Sequence, residues 1–423
     1  MRARNIGSKV HPLLRIRVQL LGGLFLAILM PVLIRTAVAP KELLSPSLQA
    51  TVVAAFMAHI LGFLIHRRIA NFPGVAAAGY ILPTFALTYG VVFAIIFFFR
   101  FDYSRFQAGS SFVLSTFWYF SLGVATRRLA PYKLAVIPGG DIDRLDAVSG
   151  VAWHRLYSPS ALDERVSGVV ADLRADLSEE WERFIANSAL SGIPVYHVKQ
   201  VTESLTGRVE IEHLSENTLG SLNPNQAYIK IKQGIDWASA LIMLVMLSPL
   251  LAITALAVRI DSKGPVLFRQ KRIGYRGNLF TVYKFRSMNF DYSSGDERND
   301  AITKSEDDRI TRVGRFIRKT RIDELPQVIN ILRGEMSWIG PRPEAVALSQ
   351  WYEAELPFYR YRHIVRPGIT GWAQVNQGHV AAVEDVLEKL HYDFYYIKNF
   401  SPWLDILIVL RTPKTMLTGF GAR

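Results

Sequence analysis

The sequence predicts a membrane α/β chain: a four-helix transmembrane bundle, a small Rossmann-like α/β domain, a re-entrant membrane helix and a mainly α-helical domain at the membrane surface. Three observations predict it. Half of the 423 residues are hydrophobic, a high share for a chain wholly in water. The apolar residues gather in five long stretches, four of them before residue 130, and basic residues mark alternate ends of those four. The formal net charge is +13, which fits anionic headgroups, phosphates or nucleic acid without choosing among them. With no cysteine, disulfides, thiolate nucleophiles, iron–sulfur clusters and cysteine zinc sites are excluded.

The first four stretches, near 18–38, 47–65, 75–99 and 108–126, each approach the roughly 20 residues of a spanning helix and place the bundle in residues 1–130. Arg2, Arg4, Lys9, Arg15 and Arg17 precede the first, Arg67 and Arg68 separate the second and third, and Arg127, Arg128 and Lys133 follow the fourth. The opposite loops pair Lys41 with Glu42, and Arg100 and Arg105 with Asp102. The positive-inside rule then puts both ends of the bundle in the cytoplasm. His59 is the one ionisable side chain well inside a span, too few for a transport pathway.

Residues 131–228 read as a small α/β domain: "KLAVIPGG" is a buried strand running into a glycine turn, "LSEEWERFIANSAL" an amphipathic helix and "IPVYHV" a further strand. Gly139 and Gly140 follow the strand, but the G-x-G-x-x-G spacing of a dinucleotide site is absent. A packing or oligomerisation module is expected, with His154 and His197 structural and a second copy of the chain a candidate partner.

The fifth apolar stretch, in the segment 229–263, is long enough to cross, yet Lys230 and Lys232 stand before it and Arg259, Lys263, Arg269, Lys271 and Arg272 after it. Both ends claim the cytoplasmic side. Ser248-Pro249 near its middle resolves the conflict if proline breaks the helix there, so that it dips into one leaflet and returns. The Ser248 hydroxyl is then a partner for freed backbone. A kinked full crossing is the alternative.

Residues 264–423 carry the chemistry. "RQKRIGYRGNLFTVYKFRSM" leads through a polar, acidic loop to "RITRVGRFIRKTRIDELPQVINILRG". Val313, Phe316 and Ile317 at i, i+3 and i+4 among arginines fit an interfacial helix or one packed on its own domain. "SPWLDILIVL", with a serine cap and proline at the first helical position, is a helix that could rest against lipid.

Leu325, Val328, Ile329 and Leu332 recur at helical spacing, Pro326 suits a first turn and Gly334 a terminus, so Asp323 and Glu324 stand at a helix start. Acids there ordinarily cap. These two lie among Lys284, Arg286, Arg321, Arg342 and Arg366, residue types that bind phosphate. A carboxylate so placed can attack phosphorus or hold Mg²⁺.

"RQKRIGYRGNLFTVYKFRSM", "RIDELPQ", "LRGEMSWIGPRPE" and "RPGITGWAQV" together resemble the bacterial sugar transferase family, the monotopic phosphoglycosyl transferases, over about residue 231 to the end. The resemblance implies transfer of a phosphosugar from a UDP-sugar to undecaprenyl (polyprenyl) phosphate at the cytoplasmic face of the bacterial inner membrane, with release of UMP, in exopolysaccharide, capsule or O-antigen assembly. It implies Asp323 as nucleophile through a phosphosugar-aspartate intermediate, Mg²⁺ on Glu324 with Asp323, and the re-entrant break at Ser248-Pro249. Lys284, Arg286, Arg321 and Arg342 are the expected phosphate cations. Arg366, Gly368 and Thr370 form a second turn that contacts nucleotide or phosphate, or is turn chemistry alone. Asp393 and Gln374 are candidates to support the site from behind, and Trp372, Gln374 and Asn376 to line a sugar or uridine pocket. The competing reading is a catalytically inactive membrane scaffold; no recognition helix points to nucleic acid.

Overall fold

A computed structural model of the chain describes residues 12–40, 45–70, 77–129, 133–148, 151–160, 166–211, 224–289, 309–377 and 383–417. Arg2, Arg4, Lys9, the Lys41–Glu42 pair and the acidic loop at 290–308 lie outside these. The chain divides into two compact units, Met1–Gly207 and Arg208–Arg423.

In the first unit, helices α1 (Ile16–Val38), α2 (Pro46–Ala70), α3 (Ile81–Phe98) and α4 (Arg105–Leu129) follow the four apolar stretches. The first three are apolar enough over 18 residues or more to cross a membrane; α4 is long enough but falls short in apolarity, and the fourth such helix is Gln226–Asp261. The reason is where the polar groups of α4 point. Gln107, Ser111 and Ser115 are fully buried, whereas Val113, Phe117 and Phe120 are exposed. Ser115 Oγ lies 2.8 Å from His59 Nδ1 and 2.9 Å from the Tyr89 hydroxyl, which also meets Ser111 Oγ at 2.7 Å. His59 therefore sits in an internal polar network of the kind that joins helices in lipid.

The second part of this unit is a four-stranded parallel sheet of β1 (Lys133–Val136), β2 (Ala152–Arg155), β3 (Gly168–Ala171) and β4 (Val195–His197), in the order β2-β1-β3-β4. Helix α5 (Glu179–Leu190) covers one face through Phe184, against Ile137 and Val169. Helix α6 (Val198–Thr206) covers the other through Val198 and Val201, against Leu134 and Val170. Gly140 has φ +65, and a Cβ there would meet the Asp172 carboxylate at 2.3 Å. That carboxylate accepts the Asp141 and Arg174 backbone N–H groups at 2.9 and 3.1 Å. The glycine turn is thus closed by a side chain of its own domain. His197 Nδ1 caps α6 by accepting the Lys199 N–H at 3.0 Å.

The second unit is built on α7 (Gln226–Asp261), 36 residues of helix that continue through Pro249, where the sequence leads to the expectation of a break. Ser248 Oγ donates to Val245 O at 2.8 Å, the carbonyl that a non-proline residue at 249 would have bonded. Both ends of α7 are fastened to the same unit. Near the start Ser337 Oγ donates to Asp236 at 2.6 Å and Lys232 pairs with Asp405 at 2.8 Å. At the end Asp261 accepts the Val313 N–H at 3.0 Å. Between them Ile242, Val245, Met246 and Ile253 are exposed.

The antiparallel hairpin β5 (Leu267–Ile273) and β6 (Leu279–Phe285) packs beside α7. Helix α8 (Arg312–Lys319) turns Val313 and Ile317 toward Phe285 and Val258. Phe316, read with them as one stripe, instead points outward and is 62% exposed. A 3₁₀ turn, Ile322–Gln327, leads into α9 (Val328–Leu332). Strand β7 (Ser337–Ile339) pairs in parallel with β8 (Gly368–Thr370); α10 (Val346–Glu355) lies between them in sequence. The chain closes with α11 (Trp372–Asn376), α12 (Val383–Lys398) and α13 (Pro402–Leu417). One face of the apolar run of α13 packs into the domain, with Leu404, Leu407 and Ile408 fully buried, while Val409 on it is exposed.

Candidate active site

Asp323 and Glu324 occupy the first turn of the 3₁₀ segment, entered through Arg321 in the left-handed conformation at φ 58. Asn330, fully buried one turn further on, fixes this segment against the hairpin. Its amide copies a strand edge, accepting the Tyr283 N–H at 3.2 Å and donating to Thr281 O at 2.7 Å. The register brings Lys284 of β6 to Glu324. Glu324 Oε1 accepts Lys284 Nζ at 2.9 Å, Arg342 Nη2 at 2.8 Å and Arg321 Nη1 at 3.4 Å. Three cations converge on one carboxylate oxygen.

The neighbouring acids are pushed apart electrostatically. Burial acts to raise the Glu324 pKa, but Arg342, Lys284 and Arg321 outweigh it and hold the group well below the glutamate range. Asp323 is 8% exposed, and no hydrogen bond reaches its buried Oδ1. Burial first, then the Glu324 charge, pushes its pKa up to about 6 against the pull of the same cations. Lys284 is lowered to about 8, chiefly by burial and then by Arg342 and Arg272, with Glu324 opposing. The site therefore holds an acid kept ionised by the cations around it beside a second acid whose oxygen is unpartnered and more basic than usual.

Arg342 projects from the Gly340-Pro341-Arg342-Pro343 loop, which is pressed on the Arg366-Pro367-Gly368 turn. Gly340 N–H donates to Thr370 O at 2.9 Å and Gly368 N–H to Pro341 O at 3.0 Å. A Cβ on Gly340 would stand 2.2 Å from Arg366 O, and one on Gly368 2.1 Å from Gly340 N. Backbone meets backbone where only glycine leaves room. Gly368→Ala is accordingly expected to lose about 3 kcal/mol of stability, read by thermal or denaturant unfolding; an unchanged transition would remove this account of the turn.

The other expected site residues divide. Arg286 is drawn away: its guanidinium donates to Pro265 O, Val258 O, Ser262 O and Ser262 Oγ at 2.6 to 3.3 Å, tying the end of α7 to the hairpin. There it supplies donors to carbonyls at the C-terminal end of a helix. Arg366 donates through Nε to Gly334 O at 2.9 Å and lies over the Tyr275 ring, 5.1 Å from its centroid. Thr370 Oγ1 meets Thr412 Oγ1 at 3.1 Å, and Gln374 donates to Ile369 O at 2.9 Å. Asp393 is buried and paired with Arg362 at 2.8 Å, and Arg362 donates to Arg342 O at 2.9 Å, so Asp393 lies one residue removed from the loop that carries Arg342.

Sequence reasoning missed Asn330, Arg272 and Arg362, and the buried Glu344–Lys389 pair at 2.5 Å. Glu344 and Arg272 stood inside quoted motifs, but nothing local separates a buried charge from a solvated one.

A model of a family described as bacterial sugar transferase matches residues 227–419. The UDP-N-acetylgalactosamine-undecaprenyl-phosphate N-acetylgalactosaminephosphotransferase of Aeromonas hydrophila is 45% identical over 95% of this chain and 94% of its own length. The UDP-glucose:undecaprenyl-phosphate glucose-1-phosphate transferase of Escherichia coli (strain K12) is 44% identical over 43% of this chain and 39% of its own. The exopolysaccharide production protein PSS of Rhizobium leguminosarum bv. phaseoli is 40% identical over 44% of this chain and 96% of its own.

Proposed function

The chain belongs to the bacterial sugar transferase family, and from that premise we propose that it transfers a phosphosugar from a UDP-sugar to undecaprenyl phosphate through an Asp323-bound intermediate. The observation that carries the reading is the pairing of Asp323, basic and unpartnered at Oδ1, with Glu324 held by three cations. An Asp323 oxygen attacks the sugar-bearing phosphorus; that P–O bond forms as the bond to UMP breaks and UMP leaves. An oxygen of undecaprenyl phosphate then attacks the same phosphorus, the aspartyl bond breaks, and Asp323 is regenerated as the diphosphate-linked sugar departs. An anionic nucleophile approaching an anionic diphosphate needs fixed positive charge, and Lys284, Arg342 and Arg321 supply it.

Mg²⁺ ordinarily takes one or two carboxylates and completes its shell with water and substrate phosphate oxygens. Adjacent carboxylates with one unpartnered oxygen fit that need, and among the described residues no larger acidic or histidine cluster offers a metal a richer site. Glu324 with Asp323 would hold it. Bound there, the ion would neutralise charge on the diphosphate.

The chain is a membrane protein by its four long apolar helices. We place the catalytic unit on the cytoplasmic face of the inner membrane, with α7 entering and leaving by one leaflet. The fastening of both its ends to one unit and the Ser248 bond to Val245 O support that path. Identity along nearly all of both chains makes UDP-N-acetylgalactosamine the first donor to test.

The test is UMP release by purified full-length protein with Mg²⁺, over a panel including UDP-N-acetylgalactosamine and UDP-glucose, with and without undecaprenyl phosphate. Turnover with one donor and lipid is expected, and a single stoichiometric release without lipid supports the aspartyl intermediate. No UMP from any donor, in protein that melts cooperatively, would favour the scaffold.

A further inference from the structure

The loop that carries Arg342 poses a mechanical problem. Pro341 and Pro343 have no N–H, so two of its four residues cannot donate to a neighbouring strand. The loop is held by its carbonyls instead, three in succession. Pro341 O accepts the Gly368 N–H at 3.0 Å, Arg342 O accepts Arg362 Nη2 at 2.9 Å, and Pro343 O accepts Arg272 Nη1. The donors come from three places: β8, the turn Tyr359–Ile364 and β5.

Arg362 is itself immobilised through all three guanidinium nitrogens, and Arg272 through its two terminal ones, its buried Nε having no partner. Arg362 is 3% exposed; its Nε and Nη2 donate to Asp393 Oδ2 at 3.1 and 2.8 Å, and its Nη1 to the Tyr359 hydroxyl at 2.7 Å. Arg272 Nη2 donates to Gln270 Oε1 at 2.9 Å. A planar guanidinium with its donors committed in several directions defines a position, which a lysine ammonium at the same place does not. What they position is one bond away: the Arg342 side chain leaves the residue whose carbonyl is pinned and reaches Glu324 Oε1 at 2.8 Å.

We propose that Arg362 and Arg272 are positioning residues that act through Arg342, fixing how far its guanidinium reaches toward Glu324 and the substrate diphosphate. This rests on the assignment of Arg342 as a phosphate cation under the transferase reading. A displacement of about 1 Å in such a group costs about 100-fold in rate, so the pins matter although they lie behind the reacting atoms.

A double-mutant cycle tests it in full-length protein, reading UMP release with the donor that wild type uses. Arg362→Lys keeps the charge but cannot reach Asp393, Tyr359 and Arg342 O together, and is expected to lower kcat about 10- to 100-fold. In an Arg342→Ala background the same change is expected to add less than about 3-fold, because the residue it positions is gone. Losses that multiply in the two backgrounds, or an Arg362→Lys enzyme as fast as wild type, would overturn the proposal. Should Arg362→Lys lose its cooperative melting transition, the equivalent cycle with Arg272→Lys decides by the same criteria. A wild-type protein inactive toward every donor would defeat the transferase reading and this inference together; an active wild type with multiplying losses would defeat this inference alone.

Discussion

Asp323→Asn is expected to abolish sugar-phosphate transfer, by about 10⁴-fold or more, while making the protein more resistant to unfolding. The two effects have one cause. The carboxyl is buried beside a second negative charge and its Oδ1 has no partner, which pushes its pKa up to about 6. It therefore binds a proton more tightly folded than unfolded. By linkage, the cost of folding with this group grows as pH rises from the ordinary aspartate range near 4 to about 6, and is fully present above that. A neutral amide of the same shape escapes the cost, a gain on the order of 2 to 3 kcal/mol at neutral pH that fades as pH falls through the window. The measurement is UMP release alongside melting temperature at pH 7.5 and pH 4.5. Wild type and variant should differ in melting temperature at the first pH and converge at the second. Near-normal turnover would defeat the nucleophile assignment. Lost turnover with a lower melting temperature at both pH values would mean that Asp323 is a structural cap.

What the sequence disclosed and what it hid separate by distance along the chain. The apolar runs, the first-turn proline at 326 and the glycine at 334 act on their immediate neighbours, so the helices and the place of Asp323 and Glu324 were legible. The convergence on Glu324 was legible only as a list of basic residues. Arg286 shares a motif with Lys284, yet two residues apart one ends at Glu324 and the other at the backbone where α7 ends. Pairing across 71 residues for Arg272 and Pro343, or 31 for Arg362 and Asp393, leaves no periodic trace. The stripe at Val313, Phe316 and Ile317 told that a helix was there but not how it divides, since eight residues of helix bury two of the apolar positions and expose the third. The shortfall of α4 in apolarity has the converse origin, since averaging along a helix cannot distinguish serines packed inside a bundle from serines facing lipid.

Removing the Glu324 charge is expected to disturb the site more widely than removing the proposed nucleophile. In Glu324→Gln the cations Lys284, Arg342 and Arg321 lose the oxygen on which they meet and are left to repel one another in a buried setting. Breaking a buried ion pair from one side costs about 3 to 5 kcal/mol. Because the Glu324 pKa is depressed in the folded protein, this stabilisation in wild type is fully present above the ordinary glutamate range and is lost as pH falls from there through the depressed folded value. The deficit of the variant should thus be largest at neutral pH and shrink in acid, opposite in sign to that of Asp323→Asn. Its titrating neighbours shift as well. Asp323 loses the charge that, after burial, raises its pKa, and Lys284 loses the charge that holds its own up near 8. Both must move down. Wild-type activity should rise with ionisation of Asp323 near pH 6 and decline as Lys284 deprotonates near pH 8, and the variant, slowed about 100-fold by displacement of Arg342 and Lys284, should carry both limbs to lower pH. A residual activity whose limbs stay where wild type has them would show that Glu324 does not set the protonation of its neighbours, and would reduce its part to holding a metal ion.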